Sequence, residues 1–372
     1  MAGISRTDTS LVARWWWTID RWNLAALIAI AGIGALMALA ASPPVAERIG
    51  LDTFYFARRQ FVYLILAIIV MFSVSLLSPK GIRRLAVACL AVSLVLMVAV
   101  LLFGSEIKGA SRWLQLGPIS LQPSEFVKPS FAVVAAWMFA EGRLDNKFPG
   151  YVVSTGLFVL TAALLLMQPD IGMTMVVAAI WGVQFFLAGL PLILVALIAC
   201  MFIGGGVATY FTFPHVQGRI DRFLDPAAGE SYQVMRGIEA FQNGGLFGRG
   251  PGEGRVKEML PDAHADFIFA VTGEEFGLIA CLIIICLFAF VVFRGFSRIF
   301  KGNDLFVLLV VVGLLVQFGL QAIINMASSV HLIPPKGMTL PFISYGGSST
   351  VALAYAMGMV LALTREQPGG VR

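Results

Sequence analysis

The chain has 372 residues, of which 59% are hydrophobic and 13% charged, with a mean hydropathy of +0.87. Soluble globular chains carry about 25% charged residues, so a soluble fold is excluded, and repeated apolar windows of about 20 residues indicate a polytopic α-helical membrane protein. The net charge of +5 points to topology and not to nucleic acid, because cytosolic loops gather Lys and Arg and basic faces meet anionic membrane lipids.

Ten apolar runs lie near 23–41, 61–78, 85–103, 124–140, 151–167, 170–188, 191–211, 273–293, 305–326 and 347–364. Ala38-Leu39-Ala40 resembles a signal-peptidase site, yet the run before it is longer than a usual signal h-region, so it reads as an uncleaved first span. Trp15, Trp16 and Trp17 just ahead of it suit an aromatic belt at the membrane interface. An even number of spans puts both termini on one side. The terminal segments and alternate short loops hold Arg6, Arg14, Arg21, Lys80, Arg83, Arg84, Arg143, Lys147, Arg294, Arg298, Lys301, Arg365 and Arg372. That side is therefore expected to be cytosolic, with the long loop between spans seven and eight outside. No internal repeat or low-complexity tract is apparent, and the bundle reads as a single unit over 1–372.

The long loop, 212–266, holds 14 of the 47 charged side chains. Within it, Val234, Ile238 and Phe241 fall at helical spacing, as in a loop helix or one lying in the interface. In the seventh run, Gly204-Gly205-Gly206 reads as a hinge or a close-packing notch. Cys89, Cys200, Cys281 and Cys286 all sit in apolar runs and read as small buried hydrophobes, with neither a disulfide framework nor a zinc site supported.

Intramembrane charges mark candidate functional positions because each costs several kcal/mol unless paired. Glu125 and Lys128 are three apart and share a helix face, either as an ion pair holding the bundle together or as a pair lining a polar cavity. Asp170, after Pro169, suits a helix start. Glu274 and Glu275 lie a turn or more beyond Asp266, and at least one must face a polar interior. Asp266 itself stands at the mouth of an apolar run, beside Phe267 and Phe269 and near His264. It reads either as a helix N-terminal acid or as a general base, since partial desolvation raises a carboxyl toward the useful range. Asp262 is the rival carboxylate, placed further into solvent.

Two glycine-rich segments offer backbone N–H groups to anions. Gly248 to Gly254 is a flexible loop or a phosphate-facing nest with Arg249. Ser344-Tyr345-Gly346-Gly347-Ser348-Ser349, with Lys336 and Thr339 nearby, resembles a nest opening the last helix, an arrangement suited to a diphosphate. No GxSxG elbow or Walker motif is present, which argues against serine hydrolase and ATPase chemistry.

Three blocks together resemble the SEDS family, the multipass glycosyltransferases of bacterial shape, elongation, division and sporulation. They run from Lys108-Gly109-Ala110-Ser111-Arg112-Trp113 through Gln122-Pro123-Ser124-Glu125-Phe126-Val127-Lys128, then from Pro261 to Phe269, then from Pro335 to Ser349. The last block looks like the division branch of the family more than the elongation branch; Pro335 stands where family sequences more often have Thr, while Lys336 and Gly337 keep their places.

The resemblance implies an all-α fold of ten transmembrane helices that polymerises lipid II into glycan strands during septal cell-wall synthesis, in the bacterial inner membrane. It maps the family's essential loop acid onto Asp266 and its fourth-span ion pair onto Glu125 and Lys128. It also implies a class B penicillin-binding transpeptidase and divisome regulatory proteins as partners. The expected reaction has Asp266 take a proton from the acceptor hydroxyl while undecaprenyl diphosphate leaves. Arg112, Arg219, Arg222, Arg249, Lys336, Ser344, Gly346 and Gly347 are the candidates to bind substrate and the departing charge. A divalent cation, Mg or Mn, could share that neutralisation, although no ligand set stands out. A lipid II flippase is the alternative of a different class, since intramembrane charges and glycine hinges also suit alternating access. A recruiting scaffold is a third reading, and it predicts tolerance of substitutions among the polar residues.

Overall fold

The structure is a computed structural model that describes residues 10–107, 110–117, 119–145, 147–189, 192–212, 217–218, 221, 231–260, 262–300, 304–334 and 337–366. Helices occupy all ten apolar runs: α2 (Arg21–Arg48), α3 (Tyr55–Ser75), α4 (Pro79–Phe103), α5 (Pro123–Leu144), α6 (Gly150–Met167), α7 (Ile171–Leu187), α8 (Leu192–Thr212), α11 (Ile268–Ile299), α12 (Leu305–Ser329) and α13 (Gly347–Leu363). Among the described residues α2, α3, α4, α6, α11 and α12 are long and apolar enough to cross a bilayer, while α7 and α13 are apolar but shorter. Three further helices are α1 (Leu11–Thr18), α9 (Ser231–Gly244) and α10 (Val256–Met259).

The helix starts follow local chemistry. Asp20, Ser78 and Asp304 each cap α2, α4 and α12 by accepting backbone N–H groups, and Pro79 occupies the first turn of α4, where no donor is needed. Many large apolar side chains still face outward, among them Leu102, Phe103, Val152, Ile193 and Phe293. Such a surface is insoluble in water and fits hydrocarbon.

One expectation needs correction. The fold is not purely helical, because β1 (Ser105–Ile107), β2 (Ala110–Leu116) and β3 (Ile119–Leu121) form an antiparallel meander between α4 and α5. Gly117, at φ +64°, turns the chain between β2 and β3. The three tryptophans differ in their surroundings. Trp15 is buried and its Nε1 donates to Ser75 Oγ at 2.7 Å, while the Arg21 guanidinium lies over the Trp16 and Trp17 rings. As for the glycine triplet, α8 runs through Gly204–Gly206 without a break, and among the described residues no atom stands within 4 Å of where their Cβ atoms would be.

The first and last described segments meet at one end of the bundle. The Glu366 N–H donates to the Thr18 carbonyl at 2.9 Å, and Asp20, at the start of α2, pairs with Arg294 and Arg298 near the end of α11. The sheet, the α6–α7 turn, the 231–267 loop and the 330–346 loop gather at the other end, where their contacts with one another are made.

Candidate active site

Asp266 sits just ahead of α11, half-buried, in a tight loop whose Ala265 and Asp266 N–H groups both donate to the Asp262 carbonyl. Asp262 adopts φ +57°, a conformation that Asp tolerates better than most residues. This loop is stitched to the 337–346 segment by a set of backbone contacts. Ser344 Oγ donates to the Ala265 carbonyl at 2.6 Å and accepts the Leu340 N–H at 2.8 Å. The Tyr345 N–H donates to the His264 carbonyl at 2.9 Å, and Asn325 Nδ2 reaches the carbonyls of both Asp266 and Met338. The Asp266 carboxylate lies beside Gly337; a Cβ built there would be 3.8 Å from its Oδ2.

Behind these loops runs a polar chain. Lys128 Nζ, fully buried, pairs with Glu125 at 2.7 Å and donates to Gln321 Oε1 at 2.9 Å. Gln321 Nε2 in turn contacts Thr339 and Ser349, whose hydroxyls are 2.7 Å apart. The expected Glu125–Lys128 pair is therefore formed, and it is linked to the same loop that Asn325 ties to Asp266. At the sheet end, the Arg112 guanidinium caps the α6–α7 turn through the Gln168 and Pro169 carbonyls and lies 3.6 Å from Asp170. Asp170 caps α7 by accepting the Met173 N–H at 3.1 Å.

The glycine-rich loop is a nest that the chain fills with its own anions. Glu274, fully buried, accepts the Arg255 and Val256 N–H groups, and Glu275 accepts the Gly252 N–H. Arg249 stands 3.7 Å from Glu274. Gly248, Gly250 and Gly252 all have positive φ, and the Gly248 position leaves no room for a Cβ against the Glu275 carbonyl.

Of the other predicted binding residues, Ser344 is buried within the loop contacts above. At Gly346 a Cβ would press on Thr339, and at Gly347 it would meet the Tyr63 ring at 2.5 Å. Arg219, Arg222 and Lys336 lie outside the described residues. Among the described residues, no three His, Cys, Asp or Glu side chains group so as to hold a metal ion.

Sequence reading overlooked Gln321 and Asn325. Their signal is the stripe Gln317, Gln321 and Asn325, spaced by four within an otherwise apolar run, which sets three amides on one helix face. It also overlooked the aromatic group beside the site. Phe56 packs against His264 at 4.3 Å and Tyr345 at 5.1 Å, and Arg59 donates to Tyr55 and Tyr63.

Residues 21–368 match the FtsW, RodA and SpoVE family of cell cycle proteins. The chain belongs to the FtsW/RodA/SpoVE family. Within this family it is 44% identical over 366 residues to a probable peptidoglycan glycosyltransferase FtsW of Caulobacter vibrioides, covering 98% of this chain and 94% of the relative. It is 35% identical over 356 residues to a protein of the same description from Escherichia coli O157:H7, covering 93% and 86%. Solved structures agree in fold. A chain of a peptidoglycan synthase complex that coordinates polymerization and crosslinking matches with a TM-score of 0.77 at 28% identity, covering 94% of this chain and 98% of that one. The rod shape determining protein RodA of Thermus thermophilus matches with a TM-score of 0.68 at 27% identity, covering 95% and 99%.

Proposed function

We propose that the chain is a peptidoglycan glycosyltransferase of the FtsW type, which polymerises lipid II into glycan strands during septal wall synthesis. The relatives described as FtsW peptidoglycan glycosyltransferases, matched over nearly their whole length, support the activity. The observation that carries the site is the double stitching of the Asp266 loop to the 337–346 segment, at the end of the bundle where the loops converge.

In this reading ten helices span the inner membrane as a single unit over 1–372, both termini are cytosolic, and the 212–266 loop is outside. Lipid-anchored disaccharides reach the site laterally from the bilayer. The Asp266 carboxylate takes the proton from the acceptor sugar hydroxyl as its oxygen attacks the donor anomeric carbon, and undecaprenyl diphosphate departs. A positioned general base contributes about 10²–10⁴-fold. Arg249, Arg112, Arg219, Arg222 and Lys336 are the cations available to the leaving diphosphate, with backbone N–H groups at Gly346 and Gly347. A class B penicillin-binding transpeptidase is the partner that crosslinks the product, in keeping with the synthase complex whose chain shares this fold.

The test is polymerisation of labelled lipid II by the full chain with its transpeptidase, beside Asp266→Asn and Asp266→Ala variants shown to be folded. Glycan ladders from the wild type alone support the reading. Near-wild-type ladders from either variant remove Asp266 from the base role, and no ladder from any of them, with the partner bound, favours a flippase.

A further inference from the structure

α11 is not one helix. Gly277 takes φ +78° and ψ −177°, which separates a short segment, 268–276, from the long remainder. A backbone of that shape is open to glycine almost alone. The groups released by the break are taken up by the neighbouring loop. The Leu278 and Ile279 N–H groups donate to Gly245 and Leu246, and the Glu274 and Glu275 carbonyls accept the Arg249 and Gly250 N–H groups. The segment that begins just after Asp266 is therefore detached from the rigid span and held from the side.

Lys257 does part of that holding. Its ammonium is buried and has three acceptors: Glu275 Oε1 at 2.5 Å, the Gly252 carbonyl at 3.0 Å and the Ala40 carbonyl at 3.1 Å. Ala40 lies four residues before Pro44, inside α2. A proline has no N–H for the carbonyl four residues earlier, so the bond to Ala40 supplies a donor that the α2 sequence itself withholds. On that side the chain parts around a cleft of about 480 Å³, lined by Pro43, Pro44, Glu47, Arg48 and Lys257 among others. The ammonium thus bridges a gap that apolar packing leaves open.

We propose that Lys257 and Glu275 are positioning residues for catalysis: they latch the proline-interrupted α2 to the short half of α11 and so fix Asp266 at the site. The inference rests on the assignment of Asp266 as the base. Neither residue touches the reacting atoms. Each acts through the placement of the 266–276 segment, and a misplacement of about 1 Å at a reacting group can cost around 10²-fold in rate.

The test uses the full chain in nanodiscs with its transpeptidase and labelled lipid II, comparing Lys257→Met, the milder Glu275→Gln, which keeps an acceptor, and Asp266→Asn. Amide exchange is followed by mass spectrometry. The expected result for Lys257→Met is a kcat lower by about 10²-fold with KM little changed, and faster exchange confined to 245–250 and 267–276. Glu275→Gln shows the same pattern to a smaller degree, which keeps the test open should the first variant fold poorly. Unchanged kcat in both latch variants, with Asp266→Asn inactive, overturns the latch and leaves the base assignment standing. Faster exchange spread along all of α11 also overturns it, since the pair then supports overall stability only. An active Asp266→Asn enzyme overturns the base assignment, and with it the catalytic purpose given to the latch.

Discussion

Asn325 Nδ2 donates to the Asp266 carbonyl at 3.1 Å and to the Met338 carbonyl at 2.7 Å. One buried amide on α12 thereby fixes the spacing of two loops that are 72 residues apart in the chain. Four residues earlier, Gln321 ties the same loop to the Lys128 ammonium. The α12 face is a ruler against which both the candidate base and the buried ion pair are set.

Replacing Asn325 by Leu removes both donors while keeping the side chain's approximate volume. A buried carbonyl left without a donor costs about 1–3 kcal/mol, and the loop bearing Asp266 loses its α12 tether. The expected outcome is a lowered melting temperature in detergent and a kcat for lipid II polymerisation reduced about 10–100-fold. Unchanged kcat in the folded variant would show that the loops hold Asp266 without this amide.

Breaking the Glu125–Lys128 pair from one side leaves a buried charge uncompensated, which costs about 3–5 kcal/mol. Lys128→Met and Glu125→Gln are each expected to unfold at markedly lower temperature than the wild type. The double variant should recover much of the loss, because no lone charge is then buried. A single variant as stable as the wild type contradicts the burial of the pair seen here.

Asp170 caps α7 by accepting the Met173 N–H at 3.1 Å and stands 3.6 Å from the Arg112 guanidinium. Asp170→Ala removes both contacts, and the loss of a helix cap costs about 0.5–2 kcal/mol. The expected outcome is a lowered melting temperature in detergent, with Asp170→Asn, which keeps an acceptor for the cap, closer to the wild type. An Ala variant as stable as the wild type would show that the α6–α7 turn holds without this carboxylate.

Gly277→Ala places a Cβ 2.4 Å from both the Gly248 nitrogen and the Leu246 oxygen, on a backbone that side chains rarely adopt. Neither neighbour is a flexible side chain, so the 245–250 turn must move. The expected outcome is poor membrane accumulation or strong loss of thermal stability. A variant of normal stability would show that the helix break can be remade elsewhere.

The membrane class, the ten apolar runs and the Glu125–Lys128 pair were all legible in the sequence. Hydrocarbon length sets the apolar runs, and i,i+3 spacing sets the pair on one helix face. The small sheet was not legible, because its strands are only 3, 7 and 3 residues long, too short for alternation to stand out. The glycine-rich loop read as either a flexible loop or a phosphate-facing nest, and spacing alone could not show that its N–H groups meet Glu274 and Glu275 of the same chain.

What the sequence by itself determined is what each segment must bury and what charges it carries. Only the tertiary structure decided which partners meet: Lys257 with a carbonyl freed by Pro44, Asn325 with Asp266, Gln321 with Lys128. Those pairings join residues 59 to 217 positions apart. Periodicity and spacing act over a few turns of helix, whereas the partner of a buried polar group is fixed by how whole helices pack.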